Sequence, residues 1–203
     1  IIASARGRGP ILDLISKVAS QVFIPFCVGG GIGTIEDIRS TILAGAEKVS
    51  LNSQAVKHPE LITEGAKVFG SQSIVLGMDV RRDPAKPSGF GTTINGGRVD
   101  TGLDALEWAK KGVALGAGEI VLNSMDADGT KKGYDIELTH LISENVSVPV
   151  IASGGGGTPQ HMADVLTQGK ADAALIATMV HSGQYTVGGI KKDLDGMGIP
   201  VRF

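Results

Sequence analysis

The sequence is poor in the residues on which several kinds of protein depend. It has one cysteine, Cys27, among 203 residues, so no internal disulfide can form and a reducing, cytoplasmic location is expected. Because Cys27 stands in an apolar run, we expect a buried structural thiol and not a nucleophile. No apolar stretch approaches the roughly 20 residues of a membrane span, and no charged-then-apolar leader opens the chain. We therefore expect no membrane partner and no signal peptide.

Charge and metal-ligand patterns are equally sparse. The net charge is −2 without a long run of either sign, which disfavours nucleic acid as a partner. No cluster of His, Cys and Asp has the spacing of metal ligands, so no metal is expected. Neither glycine-rich turn continues into Gly-Lys-Ser/Thr or supplies the third glycine of a dinucleotide fingerprint, and no cofactor is expected.

Glycine, in contrast, is abundant, and its richest turns occur in two copies. The chain has 30 glycines, about twice the usual share of ~7%. The segment that starts at Pro25 repeats at Pro149, about 124 positions later. The aligned pairs are Gly30 with Gly154, Gly31 with Gly155, Gly33 with Gly157, Thr34 with Thr158, and Gly45 with Gly169. Each copy reads as a buried strand, a glycine turn, a helix and another strand, which indicates a duplicated unit.

Short β-branched runs alternate with stretches of helical period throughout the chain. This order predicts parallel strands joined by right-handed helical crossovers, in a doubly wound sheet or a barrel. The repeat favours the barrel, because two four-unit halves close into a ring. We therefore predict an α/β protein, a (β/α)8 TIM barrel built from two half-barrel repeats, as a single domain over residues 1–203.

The repeat also predicts a deficit at the N-terminus. Residues 1–21 match only the tail of a strand and the helix after it. Against the typical ~250 residues of such a barrel, we expect strand 1, helix 1 and most of strand 2, roughly fifty residues, to be absent from this chain. The expected consequence is an open seam between strands 2 and 8, with unpaired edges that invite another chain.

A long loop, residues 83–99, follows the strand that ends at Asp79. It contains Asn95-Gly96, a strong hairpin-turn signal, so we expect a small β-excursion there, followed by a helix over 101–115. In a barrel this loop lies over the active face, where long loops commonly act as lids or binding loops.

The duplicated glycine turns predict two phosphate sites. Glycine lets the backbone approach a ligand and point N–H groups at it, beside a helix N-terminus. The strands that follow the two copies end in Asn52-Ser53 and in Ala177-Thr178, which offer further donors. Two related sites indicate a substrate with a phosphate at each end. The alternative is that these glycines only permit tight turns.

Several carboxylates are candidates for chemistry. Asp79 ends an apolar strand, where barrel enzymes keep their acids and bases; it could instead be salt-bridged to Arg81 or Arg82. Asp128 and Gly129 lie after the next strand, as part of a site or of a plain turn.

At this point the motifs are specific enough to indicate a family. The segments "PFCVGGGI", "GAEKVSLNSQAV", "GAGEIVLNSMDADGTKKGYD" and "PVIASGGGG" closely resemble the cyclase subunits of imidazole glycerol phosphate synthase, from histidine biosynthesis. The resemblance implies the half-barrel duplication, a lyase and cyclase reaction, and a glutaminase partner that supplies ammonia. It also implies a bis-phosphorylated ribulosyl-formimino carboxamide ribotide as substrate, and imidazole glycerol phosphate and an aminoimidazole carboxamide ribotide as products.

The same resemblance implies roles for individual residues. Asp79 matches the family's general acid/base at the end of strand 5, while a second catalytic Asp belongs to a strand outside this sequence. Lys48 and Glu119 match charged residues at the mouth through which ammonia enters, or form an ordinary buried ion pair. One implied phosphate site consists of Gly31, Asn52 and Ser53, and the other of Asp128, Gly129, Gly155, Gly156, Ala177 and Thr178.

Two other functions remain open. The sister sugar-phosphate isomerase of the same pathway is also a half-barrel duplication for a two-phosphate substrate. The chain could also be a phosphate-binding barrel fragment without turnover.

Overall fold

Strands and helices alternate along residues 11–203, which are the residues that the computed structural model describes. The helices are α1 (Leu12–Ala19), α2 (Ile35–Leu43), α3 (Ser53–Lys57), α4 (Glu60–Phe69), α5 (Ala105–Leu115), α6 (Ile136–Ser143), α7 (Pro159–Thr167), α8 (Thr178–His181) and α9 (Val187–Gly196). The strands are β1 (Cys27–Gly29), β2 (Lys48–Leu51), β3 (Ile74–Arg82), β4 (Phe90–Ile94), β5 (Val99–Asp104), β6 (Glu119–Ser124), β7 (Val150–Ser153) and β8 (Ala173–Ala174). The helix expected near the start of the chain is α1, whereas the strand tail expected before it lies outside the described residues.

Six of the strands form one parallel sheet in the order β1-β2-β3-β6-β7-β8. Helices connect neighbouring strands, and the sheet curls so that one cavity contacts both Gly29 on β1 and Ala177 after β8. The predicted α/β architecture of (β/α)8 type is confirmed. Within residues 11–203, β1 and β8 each pair with one neighbour, so the curled sheet is open between them.

The backbone repeats at the aligned glycines. Gly30 and Gly31 have φ angles of 96° and 78°, and Gly154 and Gly155 have 92° and 97°. These values lie in the left-handed region, which a residue with a Cβ rarely adopts. The duplicated turn predicted from the sequence is therefore a duplicated backbone conformation.

The helix starts after the two turns repeat as well. Thr34 caps α2 by accepting from the N–H of Asp37, whose side chain accepts in return from the N–H of Thr34. This reciprocal pair of hydrogen bonds is a capping box. Thr158 caps α7 in the same way, accepting from the N–H of His161, with Pro159 as the first helical residue.

Two hydrophobic clusters hold the helices against the sheet. The larger one packs α2, α4, α5 and α6 on β2, β3 and β6, and its fully buried members include Ile38, Ile62, Leu76 and Ile120. The smaller one packs α7 and α9 on the end of the sheet through Met162, Val165, Met179, Ile190 and Leu194. Burial alternates along β2 and β6: Val49, Leu51, Ile120 and Leu122 are buried on the helix side, while Lys48, Ser50, Glu119, Val121 and Asn123 lie on the other face.

The long loop forms a β-hairpin, as expected. β4 pairs antiparallel with β3 and with β5, and the tip places Asn95, Gly96 and Gly97 at φ angles of 56°, 68° and 81°. The helix expected over 101–115 starts later, because β5 continues through residue 104 and Asp104 caps α5 through the N–H groups of Leu106 and Glu107.

Cys27 corrects one expectation. It lies on the edge strand β1 and is exposed, not buried. The apolar run around it would be interior if another strand lay alongside, but β1 has one neighbour among the described residues. Several large apolar side chains in the first 43 residues are also exposed: Ile11, Leu14, Phe23, Ile24 and Leu43.

Candidate functional site

The carboxyl ends of the parallel strands surround a cavity of about 700 Å³. Its lining combines the first glycine turn, residues 29–34, with Asn52, Ser53, Asp79 and Asn123. Parallel strands bring their ends to one edge of a sheet, so residues far apart in the sequence meet here. The structure therefore brings together Asp79 and the predicted members of the first phosphate site.

Asp79 lies between β4 and β6, opposite Thr93 on one side and Asn123 on the other. The amide nitrogen of Asn52 donates to Oδ2 of Asp79 at 3.1 Å, and that of Asn123 donates to Oδ1 at 3.3 Å. Burial raises the pKa of the Asp79 carboxyl above its usual range, and the hydrogen bonds from Asn123 and Asn52 partly oppose this. Asp128 raises the pKa further through its charge. A carboxyl with a raised pKa is suited to exchange protons near neutral pH.

The alternative role of Asp79 as a salt-bridge partner is not what the described residues show. Arg81 lies 3.6 Å from Asp100 instead, between Nη2 and Oδ2. Arg82 donates from Nη1 to Glu137 at 2.8 Å and from Nη2 to Asp135 at 3.2 Å. Both arginines therefore pair with other carboxylates, and Asp79 is held by the amides of Asn52 and Asn123.

Two backbone N–H groups at the end of the first glycine turn already have hydrogen-bond acceptors within the protein. The N–H groups of Gly33 and Thr34 both donate to Oδ2 of Asp37 at 3.0 Å. Ser53, in contrast, accepts through Oγ from the N–H of Asn95 at 3.1 Å and keeps its own hydroxyl proton. The tip of the hairpin is thus fastened to the residue that we expect to bind phosphate.

Asn52 is only half satisfied. Its Nδ2 donates to Asp79, while its Oδ1 is buried and has no hydrogen-bond partner within residues 11–203. A buried acceptor without a donor costs about 1–3 kcal/mol, so this oxygen is available to a donor on a ligand in the cavity.

The second glycine turn borders a smaller pocket of about 50 Å³, next to the main cavity. The predicted residues gather around it: Asp128, Gly129, Gly155, Gly156, Ala177 and Thr178. In the hydrogen-bond network of residues 11–203, the N–H groups of Gly155 and Gly156 donate to no protein atom. Packing also restricts both positions, since a Cβ on Gly155 would clash with the carbonyl oxygen of Gly133 and one on Gly156 would clash with the Tyr134 hydroxyl. These glycines thus permit the turn and also leave donors free.

Lys48 and Glu119 lie at the other end of the strands and form an ion pair. The Lys48 side chain is one-third exposed and that of Glu119 is 13% exposed. Both act on the Cys27 thiol, whose pKa is raised to about 12 by desolvation first and then by Glu119, with Lys48 acting in the opposite direction. The contact agrees with either expectation, an ammonia mouth or an ordinary ion pair.

Two site residues were not predicted from the sequence. Asn123 contacts Asp79 directly, and a signal for it exists, because the triplet Leu-Asn-Ser occurs at 51–53 and again at 122–124. Lys131 borders the second pocket in a left-handed conformation, with φ 58°, and its place in the loop after β6 gave no signal. His181, at the end of α8, is exposed.

The described residues offer no group of three or more His, Cys, Asp or Glu side chains that could hold a metal ion. A search of residues 11–203 for a helix of sufficient length and apolarity to cross a membrane finds none.

Comparison with known proteins identifies the family. The model of the histidine biosynthesis protein family matches residues 1–186. The chain is 62% identical to imidazole glycerol phosphate synthase subunit HisF of Desulfosudis oleivorans, over all of this chain and 80% of that protein. It is 60% identical to the subunits of the same name of Desulfatibacillum aliphaticivorans and Syntrophobacter fumaroxidans, over all of this chain and 79% of each relative. The chain belongs to the histidine biosynthesis protein family and, within it, to the imidazole glycerol phosphate synthase subunits of the HisF type.

Proposed function

We propose that this protein is the cyclase subunit of a cytoplasmic imidazole glycerol phosphate synthase, acting as a lyase in histidine biosynthesis. It combines ammonia with a bis-phosphorylated ribulosyl-formimino carboxamide ribotide, and releases imidazole glycerol phosphate and an aminoimidazole carboxamide ribotide. The observation that carries this proposal is one cavity that joins Asp79 to the first glycine turn and adjoins the pocket of the second.

The two glycine turns anchor the phosphates. Gly31, Ser53 and the backbone N–H of Asn52 hold one of them, because the Asn52 side chain already donates to Asp79. The other lies beside the N–H groups of Gly155 and Gly156, which donate to no protein atom within residues 11–203. Thr178 and Ala177 complete the second site at the start of α8. Two anchors fix the orientation of an elongated substrate, so that its reacting atoms are held next to the catalytic group.

Asp79 moves the protons. The carboxylate holds one amide donor on each oxygen, so it keeps a fixed orientation while remaining lone pairs accept a proton from the substrate. Its raised pKa brings proton uptake and return closer to neutral pH than for an ordinary carboxyl, and general acid–base catalysis is typically worth about 10²–10⁴-fold in rate.

Ammonia enters from a glutaminase partner at the opposite end of the strands. Lys48 and Glu119 lie there as a charged pair on the cavity side of β2 and β6. A partner that docks on this end would release ammonia next to the pair.

An ammonium-dependent assay tests the proposal. The relatives are longer than this chain, so the assay uses the product of the complete reading frame. We expect consumption of the ribulosyl substrate with added ammonium, and a loss of at least 100-fold in kcat for Asp79→Asn with little change in KM. Asp195→Asn, on the exposed side of α9, is the matched control and should keep full activity.

Three outcomes would contradict the proposal. Isomerisation of the precursor without ammonium would identify the sister isomerase. Substrate binding without turnover would identify a phosphate-binding barrel. Equal turnover by wild type and Asp79→Asn would make Asp79 a structural carboxylate.

A further inference from the structure

We propose that Asn123 is a positioning residue for Asp79, and that Ser153 holds the Asn123 amide in the orientation this requires. The proposal rests on the proposed function, in which Asp79 is the general acid/base. It concerns three residues on three adjacent strands, β3, β6 and β7.

The strand register places these residues in one row. Asp79 on β3 is the direct partner of Asn123 on β6, and Asn123 is the direct partner of Ser153 on β7. Residues in register on neighbouring strands have side chains on the same face, which here is the cavity face. The hydrogen bonds follow the row, since Ser153 Oγ donates to Asn123 Oδ1 at 3.1 Å and Asn123 Nδ2 donates to Asp79 Oδ1 at 3.3 Å.

The charge of the carboxylate fixes the direction of this row. An ionised carboxylate only accepts hydrogen bonds, so the Asn123 amide must turn its NH₂ group towards Asp79. Its carbonyl oxygen then needs a donor, and the Ser153 hydroxyl supplies one. Without that hydroxyl, the amide loses the contact that distinguishes its two orientations.

Asn123 complements Asn52 and does not duplicate it. Each amide donates to a different oxygen of Asp79, so together they hold the carboxyl plane from both sides. Both contacts favour the ionised form and oppose the effect of burial. Among the described residues, Asp128 is the charged group whose field reaches Asp79, while Thr93 on β4 and Asn52 after β2 are neutral neighbours.

The pH profile of turnover separates positioning from a purely structural role. We expect Asn123→Ala to lower kcat at pH 7 by about tenfold, with KM nearly unchanged, because it removes one hydrogen bond to a charged group. The acidic limb of the profile should move to higher pH. Asn123→Asp should move the limb further in the same direction, because it puts a second carboxylate beside the first. Ser153→Ala should move it in the same direction by less.

Asn145→Ala is the matched control, since this asparagine also donates its Nδ2, to the carbonyl of Leu141, but lies after α6. It should leave the profile of the wild type unchanged. A pH profile that is the same for wild type, Asn123→Ala and Asn123→Asp would overturn the proposal. A rise in KM without a shift of the acidic limb would also overturn it, because Asn123 would then be a substrate contact.

Carbon-13 NMR of the Asp79 carboxyl tests the proposal without turnover. The titration should move to higher pH in Asn123→Ala and further in Asn123→Asp, while circular dichroism verifies that both variants are folded. If the wild type shows no ammonium-dependent activity, the proposed function fails, and this titration still decides on Asn123. If the titration is identical in all three proteins, the positioning role is wrong even where the enzyme is active.

Discussion

Lys48 on β2 and Glu119 on β6 form an ion pair across β3, the strand that lies between them in the sheet. Near the start of β3, Val75 pairs with Glu119 on one side and with Ser50 on the other. Ser50 lies two residues after Lys48 on β2. The pair thus joins two strands that do not hydrogen-bond to each other. Since Glu119 is the more buried partner, it depends on Lys48 for its charge compensation.

Replacement of Lys48 by methionine should destabilise the protein by about 1–3 kcal/mol, because it leaves a largely buried carboxylate without its partner. Urea denaturation measures this. The double variant Lys48→Met/Glu119→Leu should recover most of the loss, since an apolar pair needs no compensation. A double variant as unstable as Lys48→Met alone would show that the ion pair does not account for the effect.

The same single variant tests the proposed ammonia route. With the glutaminase partner present, glutamine-dependent turnover should fall by more than ammonium-dependent turnover, because bulk ammonium does not need a guided entrance. Equal losses in both assays would reduce Lys48 and Glu119 to a structural ion pair.

Asp79→Asn should stabilise the folded protein at pH 7 while it removes activity. A carboxyl whose folded pKa lies above its unfolded value binds its proton more tightly in the folded state, so its ionisation costs stability above the folded pKa. Below the unfolded pKa that cost is absent. The difference in the free energy of unfolding between variant and wild type should therefore shrink as pH falls from 7 through the folded pKa. A difference independent of pH would contradict the raised pKa. Asn52 can accommodate the new amide, because its unpartnered Oδ1 can rotate to accept from it.

Two glycines with similar backbone angles should respond differently to alanine. Gly129 has φ 74° and open space where the methyl group of an alanine would lie, so Gly129→Ala should cost about 1 kcal/mol of backbone strain. Gly155 has φ 97° and the carbonyl oxygen of Gly133 in the way, so Gly155→Ala should cost at least twice as much. Urea denaturation of the two variants side by side measures this. Equal losses would show that the turn moves aside without cost.

Cys27 should react slowly in spite of its exposure. Its thiol pKa of about 12 leaves little thiolate at pH 8. Alkylation by iodoacetamide should be slower than that of a free cysteine with a pKa near 8.5. The Glu119→Gln variant should react faster, because it removes the negative charge that raises the pKa. A wild-type rate equal to that of free cysteine would contradict this environment.

The architecture could be predicted from the sequence because the strand and helix patterns are periodic and the glycine-rich segment occurs twice. Gly30 and Gly154 stand at equivalent points of two similar segments, and their backbone angles agree within a few degrees, at 96° and 92°. Thr34 and Asp37 have the spacing of a capping box, and they start α2 in the structure. Local chemistry of this kind determines local structure, and the crossover rules then limit the topology.

What the sequence could not predict depends on contacts between distant residues. Asn123 became a site residue only when the register of β3 and β6 placed it opposite Asp79, although the repeated Leu-Asn-Ser triplet marks it. The exposure of Cys27 depends on which strands lie beside β1. An apolar run in the sequence does not show which strands will be its neighbours. The helix expected from residue 101 begins only after Asp104, because β5 pairs with β4 up to that residue.

The two hydrophobic clusters lie behind different glycine turns. The larger cluster supports the first glycine turn through Ile32 and Ile38, and it also contains Met78, next to Asp79. The smaller cluster supports the second turn through Tyr134 and Ala152. We expect hydrogen exchange to give two levels of protection, and opening of the smaller cluster to disrupt the second of the two proposed phosphate sites while the first stays intact. For the proposed two-phosphate substrate, the expected consequence is departure in two stages, one end at a time.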